Sequence, residues 1–103
     1  MKLKKLKFEG FYLFSSKSHY DERGHFRRHF CKDFLKKKKI NLDIKQGNVS
    51  HSFKKGTLRG FHFKKGKSKE TKILSCLTGS IFHVAIDLRK KSRTYKKTFS
   101  IIL

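Results

Sequence analysis

Residues 56–77 constrain the fold more than any other stretch of the chain. Gly56-Thr57-Leu58-Arg59-Gly60-Phe61-His62-Phe63 mixes branched, aromatic and polar side chains, Lys64–Lys69 carries the turn signal Gly66, and Thr71–Leu77 forms a second run of the first kind. This pattern predicts a β-hairpin with a long loop. Alternate residues of a regular strand share a face, so His62 would lie with Gly60 and Leu58, and Lys72 with Leu74 and Cys76. If both faces point inward, an imidazole and an ammonium meet in one cavity.

The rest of the chain reads mostly as strands. Residues 2–8 alternate Lys with Leu or Phe, the period of a half-buried strand or of a Lys-guarded edge. Phe11–Phe14 is a second strand candidate, Ser15–Tyr20 a polar connection, and Asp21-Glu22-Arg23-Gly24 a turn. A short helix is predicted over 31–38, where good helix formers end in Lys36–Lys39, cations that suit a helix C-terminus. Asn41–Phe53 returns to strand periodicity, with Leu42, Ile44, Gln46, Asn48 and Ser50 on one parity, before a turn at Lys54-Lys55-Gly56. Strands over Ile81–Leu88 and Tyr95–Leu103 complete the series, the first with Phe82, Val84, Ile86 and Leu88 on one face and His83 and Ala85 on the other.

With 103 residues and no Pro, the chain is expected to form a single domain over 1–103. Eleven Phe within a 36% hydrophobic composition favour folding over disorder. Short strands at regular spacing fit a mainly β, antiparallel sandwich or jelly roll with at most one short helix. A net charge of +21, from 28 Lys and Arg against 7 Asp and Glu, attracts polyanions. Nucleic acid, an acidic membrane surface or a phosphorylated small substrate would all respond to it. Only six of the 28 cations are Arg, whereas base readout favours Arg, so solvated lysines are the simpler account. Cys31 and Cys76 have no metal-binding spacing and read as free thiols. No apolar run reaches the length of a membrane span, and residues 1–7 lack the apolar centre of a secretory signal, which predicts a soluble, cytoplasmic protein.

Several short motifs recur in one order: Asp21-Glu22-Arg23-Gly24, Phe26, Phe30, Gln46-x-Asn48-x-Ser50, Gly56-x-Leu58-Arg59-Gly60-x-His62-Phe63, Glu70-x-Lys72, and Gly79-x-Ile81-Phe82-x-Val84-Ala85-Ile86-Asp87-Leu88-Arg89. In these the chain resembles the dTDP-4-dehydrorhamnose 3,5-epimerases, from about Asp21 to Leu103. The resemblance implies a cupin jelly roll, incomplete here at its C-terminal end relative to the family. It also implies a homodimer and a dTDP-4-keto-6-deoxy sugar as substrate, with no cofactor. The deeper cupin spacing is met by Gly56 and His62, but Lys64 stands where a second His belongs. A lone His does not hold a metal, so none is expected.

Epimerisation beside a ketone needs a base, a group that holds the enolate oxygen and an acid on the opposite face. A His base works near neutral pH, and a Lys ammonium stabilises an oxyanion. The resemblance assigns these roles to His62 and Lys72. It assigns substrate binding to Arg23, Gln46, Asn48 and Arg59, with Arg23 serving a neighbouring subunit's site. Arg59 and His62 have opposite parity, so a β-bulge is expected at Gly60. The departures are Arg28 in place of a Glu and His83 in place of an Asp, and neither Tyr20 nor Tyr95 matches the family's catalytic Tyr. By the resemblance, the chain is expected to end before the region carrying that Tyr and the Asp that orients the base. Two other readings follow: an inactive sugar-nucleotide-binding fragment, and a small basic β protein binding nucleic acid through nonspecific charge. Exposed Phe beside a basic groove would favour the latter, buried Phe and an inward His62 would count against it.

Overall fold

The computed structural model describes residues 1–103, the side chain of Ser68 excepted. Its regular structure is mainly β, in three two-stranded antiparallel sheets with one short α-helix. Strand β1 (Lys2–Lys5) pairs with β2 (Tyr12–Ser15), β3 (Ser18–Asp21) with β4 (Gly24–Arg27), and β5 (Phe82–Ile86) with β6 (Thr98–Ile102). Helix α1 (Lys32–Lys37) follows β4, and a single 3-10 turn occupies Gly66–Ser68.

Local chemistry explains the first two hairpins. Between β1 and β2 the backbone closes through Leu6 N–H to Phe11 O at 2.9 Å and Phe11 N–H to Phe8 O at 3.1 Å. Gly10 supplies the left-handed residue of that turn, at φ +73°. The β3–β4 turn is tighter: Asp21 faces Gly24 across a loop of Glu22 and Arg23, and the Asp21 carboxylate accepts the Arg23 N–H at 2.9 Å. The segment 15–20, expected as a connection, supplies β3 because the turn at 21–24 folds it back on β4.

The predicted helix is present. Asp33 lies in its first turn, Lys36 and Lys37 in its last, matching the helix dipole at both ends. Lys39 closes it in the left-handed region at φ 60°, with Lys39 N–H donating to Lys36 O and Ile40 N–H to Leu35 O, each at 2.9 Å. This is the paired C-terminal closure of a Schellman motif.

Apolar burial is sparse and concentrated at two points. Leu35, on α1, is 2% exposed and Phe8 is 6% exposed. Phe8, Phe11 and Phe99 form an aromatic cluster with ring centroids 5.7 to 6.5 Å apart, joining the β1–β2 turn to β6. The β5–β6 ladder extends beyond the strands at both ends, through Ile81 with Leu103 and through Asp87 with Lys96 and Lys97. Among the described residues no helix is long and apolar enough to cross a membrane.

The central hairpin is a correction to the sequence reading. Residues 41–81 hold the 3-10 turn at Gly66–Ser68 and no strand, so neither Asn41–Phe53, nor 57–63, nor 71–77 is a strand. The turns were read correctly: Thr57 N–H and Oγ1 both donate to Lys54 O, and Gly56 has φ +80°. What is lacking is cover for the apolar faces, since Leu58 is 91% and Leu77 64% exposed. A lone hairpin without a third strand or a helix over its apolar side is marginal in water. With no ladder at Arg59–His62 there is also no bulge. Gly60 instead turns the backbone with φ +120°.

Candidate functional site

The residues singled out by sequence fall into three neighbourhoods. The first is the tip of the β3–β4 hairpin. Arg23 projects there, its Nη2 donating to Asp21 Oδ2 at 2.7 Å, with the side chain 84% exposed. The guanidinium first, then the backbone N–H of Arg23, hold the Asp21 carboxyl below its ordinary range. Both groups stand in solvent, so the pair is a local brace rather than a source of stability.

The second lies around the Lys54–Gly56 turn. Arg59 reaches back across it, donating from Nη2 to His51 O at 3.0 Å and from Nε to Ser52 Oγ at 3.2 Å. Gln46 and Asn48 lie upstream on the same strand-free segment, exposed. His62 is exposed as well, and its ring folds towards the backbone at Gly60: a Cβ built there would sit 4.0 Å from His62 Nδ1. A side chain at position 60 would meet the imidazole at ordinary contact distance but would need an unfavourable positive φ.

The third is a carboxylate clamped by two ammonium groups. Glu70 Oε2 accepts from Lys64 Nζ at 2.6 Å, and Glu70 Oε1 lies 3.0 Å from Lys72 Nζ. Lys64, then Lys72, draw the Glu70 carboxyl below its usual range, against a smaller opposing effect of desolvation. Lys64 and Lys72 flank the loop that was expected to join two strands. Glu70 thus closes that loop by charge where no ladder closes it. Among the described residues no hydrogen bond or ion pair links His62 to Lys72. The strands whose parity was expected to bring the two residues together are not formed among the described residues. Two concavities, of about 330 Å³ between α1 and residues 40–43 and about 210 Å³ along Lys5–Tyr12, are lined by neither residue.

The two departures also have places. Arg28 uses its carbonyl to accept Ser16 Oγ–H at 2.6 Å, tying the link before β3 to the end of β4. His83 is half-buried in β5, opposite Ile101. A contact not foreseen joins Ser75 Oγ and His29 Nε2 at 2.9 Å, across 46 residues of chain.

The most connected side chain among the described residues is Asp87, which stands in the last of the quoted motifs without an assigned role. Asp87 is 4% exposed. Its Oδ1 accepts Arg89 Nε at 2.8 Å and the Arg89 backbone N–H at 3.0 Å. Oδ2 takes Arg89 Nη2 at 2.9 Å and the hydroxyls of Ser92 and Thr94 at 2.6 Å each. The signal was legible as Asp-x-Arg-x-x-Ser-x-Thr after an apolar strand: a carboxylate followed by three donor side chains within one turn.

A mainly β chain that places imidazole, ammonium and guanidinium groups along one open segment offers the functional groups for an anionic ligand and for proton transfer. Comparison with known proteins names the class more closely. The family model described as dTDP-4-dehydrorhamnose 3,5-epimerase matches residues 5–103, and the chain belongs to that family. It is 36% identical over 80 residues to the dTDP-4-dehydrorhamnose 3,5-epimerase of Sinorhizobium fredii, an alignment covering 78% of this chain and 41% of the relative. With the enzyme of the same name from Methanothermobacter thermautotrophicus it shares 35% over 91 residues, 88% of this chain and 48% of the other. With that of Shigella flexneri it shares 36% over 92 residues, 88% of this chain and 50% of the other. The chain therefore spans about half the length, or less, of these relatives. No solved structure matches it.

Proposed function

We propose that the chain acts as a dTDP-4-dehydrorhamnose 3,5-epimerase-like protein of deoxysugar biosynthesis, on a dTDP-4-keto-6-deoxy sugar, with His62 as the base and Lys72 as the group that holds the enolate oxygen. The observation that carries this reading is the family match over residues 5–103, within which the His62 and Glu70-x-Lys72 motifs both fall. His62 Nδ1 or Nε2 takes the proton beside the ketone, and the negative charge that develops on the carbonyl oxygen is met by the Lys72 ammonium. Glu70 lies beside that ammonium in the free protein, and the substrate's oxygen competes with it. Arg23 and Arg59 hold the diphosphate, and Gln46 and Asn48 line the remainder of the ligand. The fold expected of the complete site is a cupin jelly roll in a homodimer, with each β3–β4 hairpin carrying its Arg23 to the neighbouring copy.

Inversion needs an acid on the opposite face of the sugar, and neither Tyr20 nor Tyr95 stands in the family's position for it. One step for which the described residues supply the group is removal and return of the proton at His62. That step is read by deuterium wash-in: the dTDP-4-keto-6-deoxy sugar is incubated with the protein in heavy water and followed by NMR. Signal loss at the carbons flanking the ketone, faster than in buffer, is the expected result. Binding of the nucleotide sugar without wash-in would make the chain a binding protein of the same family.

A further inference from the structure

The cationic surface carries more charge than the sugar-nucleotide chemistry absorbs. Among the described residues five of the 28 Lys and Arg side chains, Arg23, Lys45, Lys64, Lys72 and Arg89, lie in ion pairs. The remaining charge is not balanced within the chain. Where it coincides with exposed aromatic rings it acquires a chemical preference.

That coincidence falls on residues 51–65. Phe53 is 94%, Phe61 64% and Phe63 58% exposed. The His51 ring packs edge-on to Phe53 with centroids 5.1 Å apart, and Lys65 Nζ lies over the Phe63 ring at 5.8 Å. Lys54 and Lys55 form the turn beside Phe53, and Arg59 ties the two arms of that turn through His51 O and Ser52 Oγ. An exposed phenyl ring offers a flat, apolar face, and a neighbouring ammonium offers an anion partner a few ångströms away. Bases joined by phosphates present the same alternation of π-faces and charges. A lipid surface supplies the charge and lacks the stacking faces.

We propose that residues 51–65 form a stacking platform for single-stranded nucleic acid, with Phe53, Phe61 and Phe63 receiving bases and Lys54, Lys55 and Lys65 meeting the intervening phosphates. The inference goes beyond the epimerase reading and assigns no role to Lys72 or to the proton chemistry of His62. Recognition is sequence-tolerant, because every base has a π-face and the phosphates carry no sequence information.

The test is fluorescence anisotropy of a labelled oligothymidylate of about 12 nucleotides, a length within the footprint of a stacking groove, titrated with the full chain over a series of salt concentrations. Binding is expected to weaken with salt at a log–log slope of about −2, the value for roughly three phosphates on a single strand. Phe53→Ala, Phe61→Ala and Phe63→Ala should each weaken it on the order of tenfold, while Tyr20→Ala, an equally exposed aromatic outside the stretch, leaves it unchanged. Because the three Phe side chains are exposed, their removal takes nothing from the core, and an unchanged melting transition confirms that each variant is folded. Phe variants that bind like the parent would reduce the effect to charge alone and overturn the proposal. So would tighter binding to phosphatidylserine vesicles than to the oligonucleotide. Displacement of the oligonucleotide by equimolar dTDP would also overturn it, returning the stretch to the sugar-nucleotide site. Loss of deuterium wash-in bears on the epimerase reading and leaves this titration untouched.

Discussion

Asp87 and Arg89 face each other two residues apart, with Arg89 Nε 2.8 Å from Asp87 Oδ1 and Nη2 2.9 Å from Oδ2, while the third guanidinium nitrogen donates to Glu9 O at 2.8 Å. One side chain therefore joins the β5–β6 turn to the β1–β2 turn. These elements also share the Phe8–Phe11–Phe99 cluster. The buried carboxylate and the aromatic cluster hold the same two ends of the chain together.

Removing the carboxylate should leave the Ser92 and Thr94 hydroxyls without their acceptor and Arg89 without its partner. Asp87→Ala is expected to destabilise the protein by on the order of 1–3 kcal/mol, the cost of unsatisfied polar groups in a partly buried network. Urea unfolding followed by circular dichroism measures it. An unchanged midpoint would mean that the network is decorative.

The same network fixes an acid limit. Arg89 beside Asp87, helped by Ser92 and Thr94 and opposed by burial, holds its carboxyl well below the usual carboxylate range. A depressed folded-state value means that the unfolded chain takes up the proton first as pH falls. The contribution is complete above the ordinary Asp value of about 4 and is lost progressively below it. Melting temperatures measured from neutral pH downward should fall steeply below about pH 4, and Asp87→Asn should flatten that fall. Glu70 and Asp21 are also lowered, but they stand in solvent, where screening leaves little linked stability.

Glu70 restrains the Lys72 ammonium that the proposed role directs to the oxygen beside the reacting carbon. Glu70→Gln should therefore tighten binding of the dTDP-4-keto-6-deoxy sugar several-fold, with no change in melting temperature, and Lys72→Ala placed on top should cancel the gain. Isothermal titration calorimetry separates these outcomes. Equal affinities of parent and Glu70→Gln would remove Lys72 from the ligand's neighbourhood.

Phe8 and Phe82 test where the core lies. Phe8 is 6% exposed and Phe82 71%. Phe8→Ala should cost about 3 kcal/mol, the low end for emptying a buried aromatic site, and Phe82→Ala less than about 0.5 kcal/mol. Chemical denaturation of the two variants side by side gives the comparison.

The fold was legible where local chemistry decides it. The Asp21–Gly24 turn, the helix ending in lysines and the apolar run Ile81–Leu88 each carry their own instructions, and the structure has β3–β4, α1 and β5 there. The central hairpin was misread because alternation at 57–63 and 71–77 specifies which face is apolar, not what covers it. Leu58, Phe61 and Phe63 have no sheet or helix over them, so the pattern stays unpaired. The candidate site inherits the same gap: His62, Lys72, Arg23, Arg59, Gln46 and Asn48 are found by motif, whereas their convergence depends on strands that the described residues do not form. The role of Asp87, quoted only as part of a motif, was not legible for the opposite reason. Its partners Arg89, Ser92 and Thr94 are near in sequence, but a solvated turn rather than a buried carboxylate is the usual meaning of such a run.

The central claim, that His62 removes the proton beside the ketone, is tested most directly by the rate of deuterium wash-in for the parent chain against His62→Ala. His62 is exposed, so the substitution removes no packing, and a matching melting curve verifies the fold. The account predicts wash-in by the parent and a loss of at least about a hundredfold in the variant, the lower range for a positioned general base. Equal wash-in by both proteins would contradict it and place the proton chemistry elsewhere.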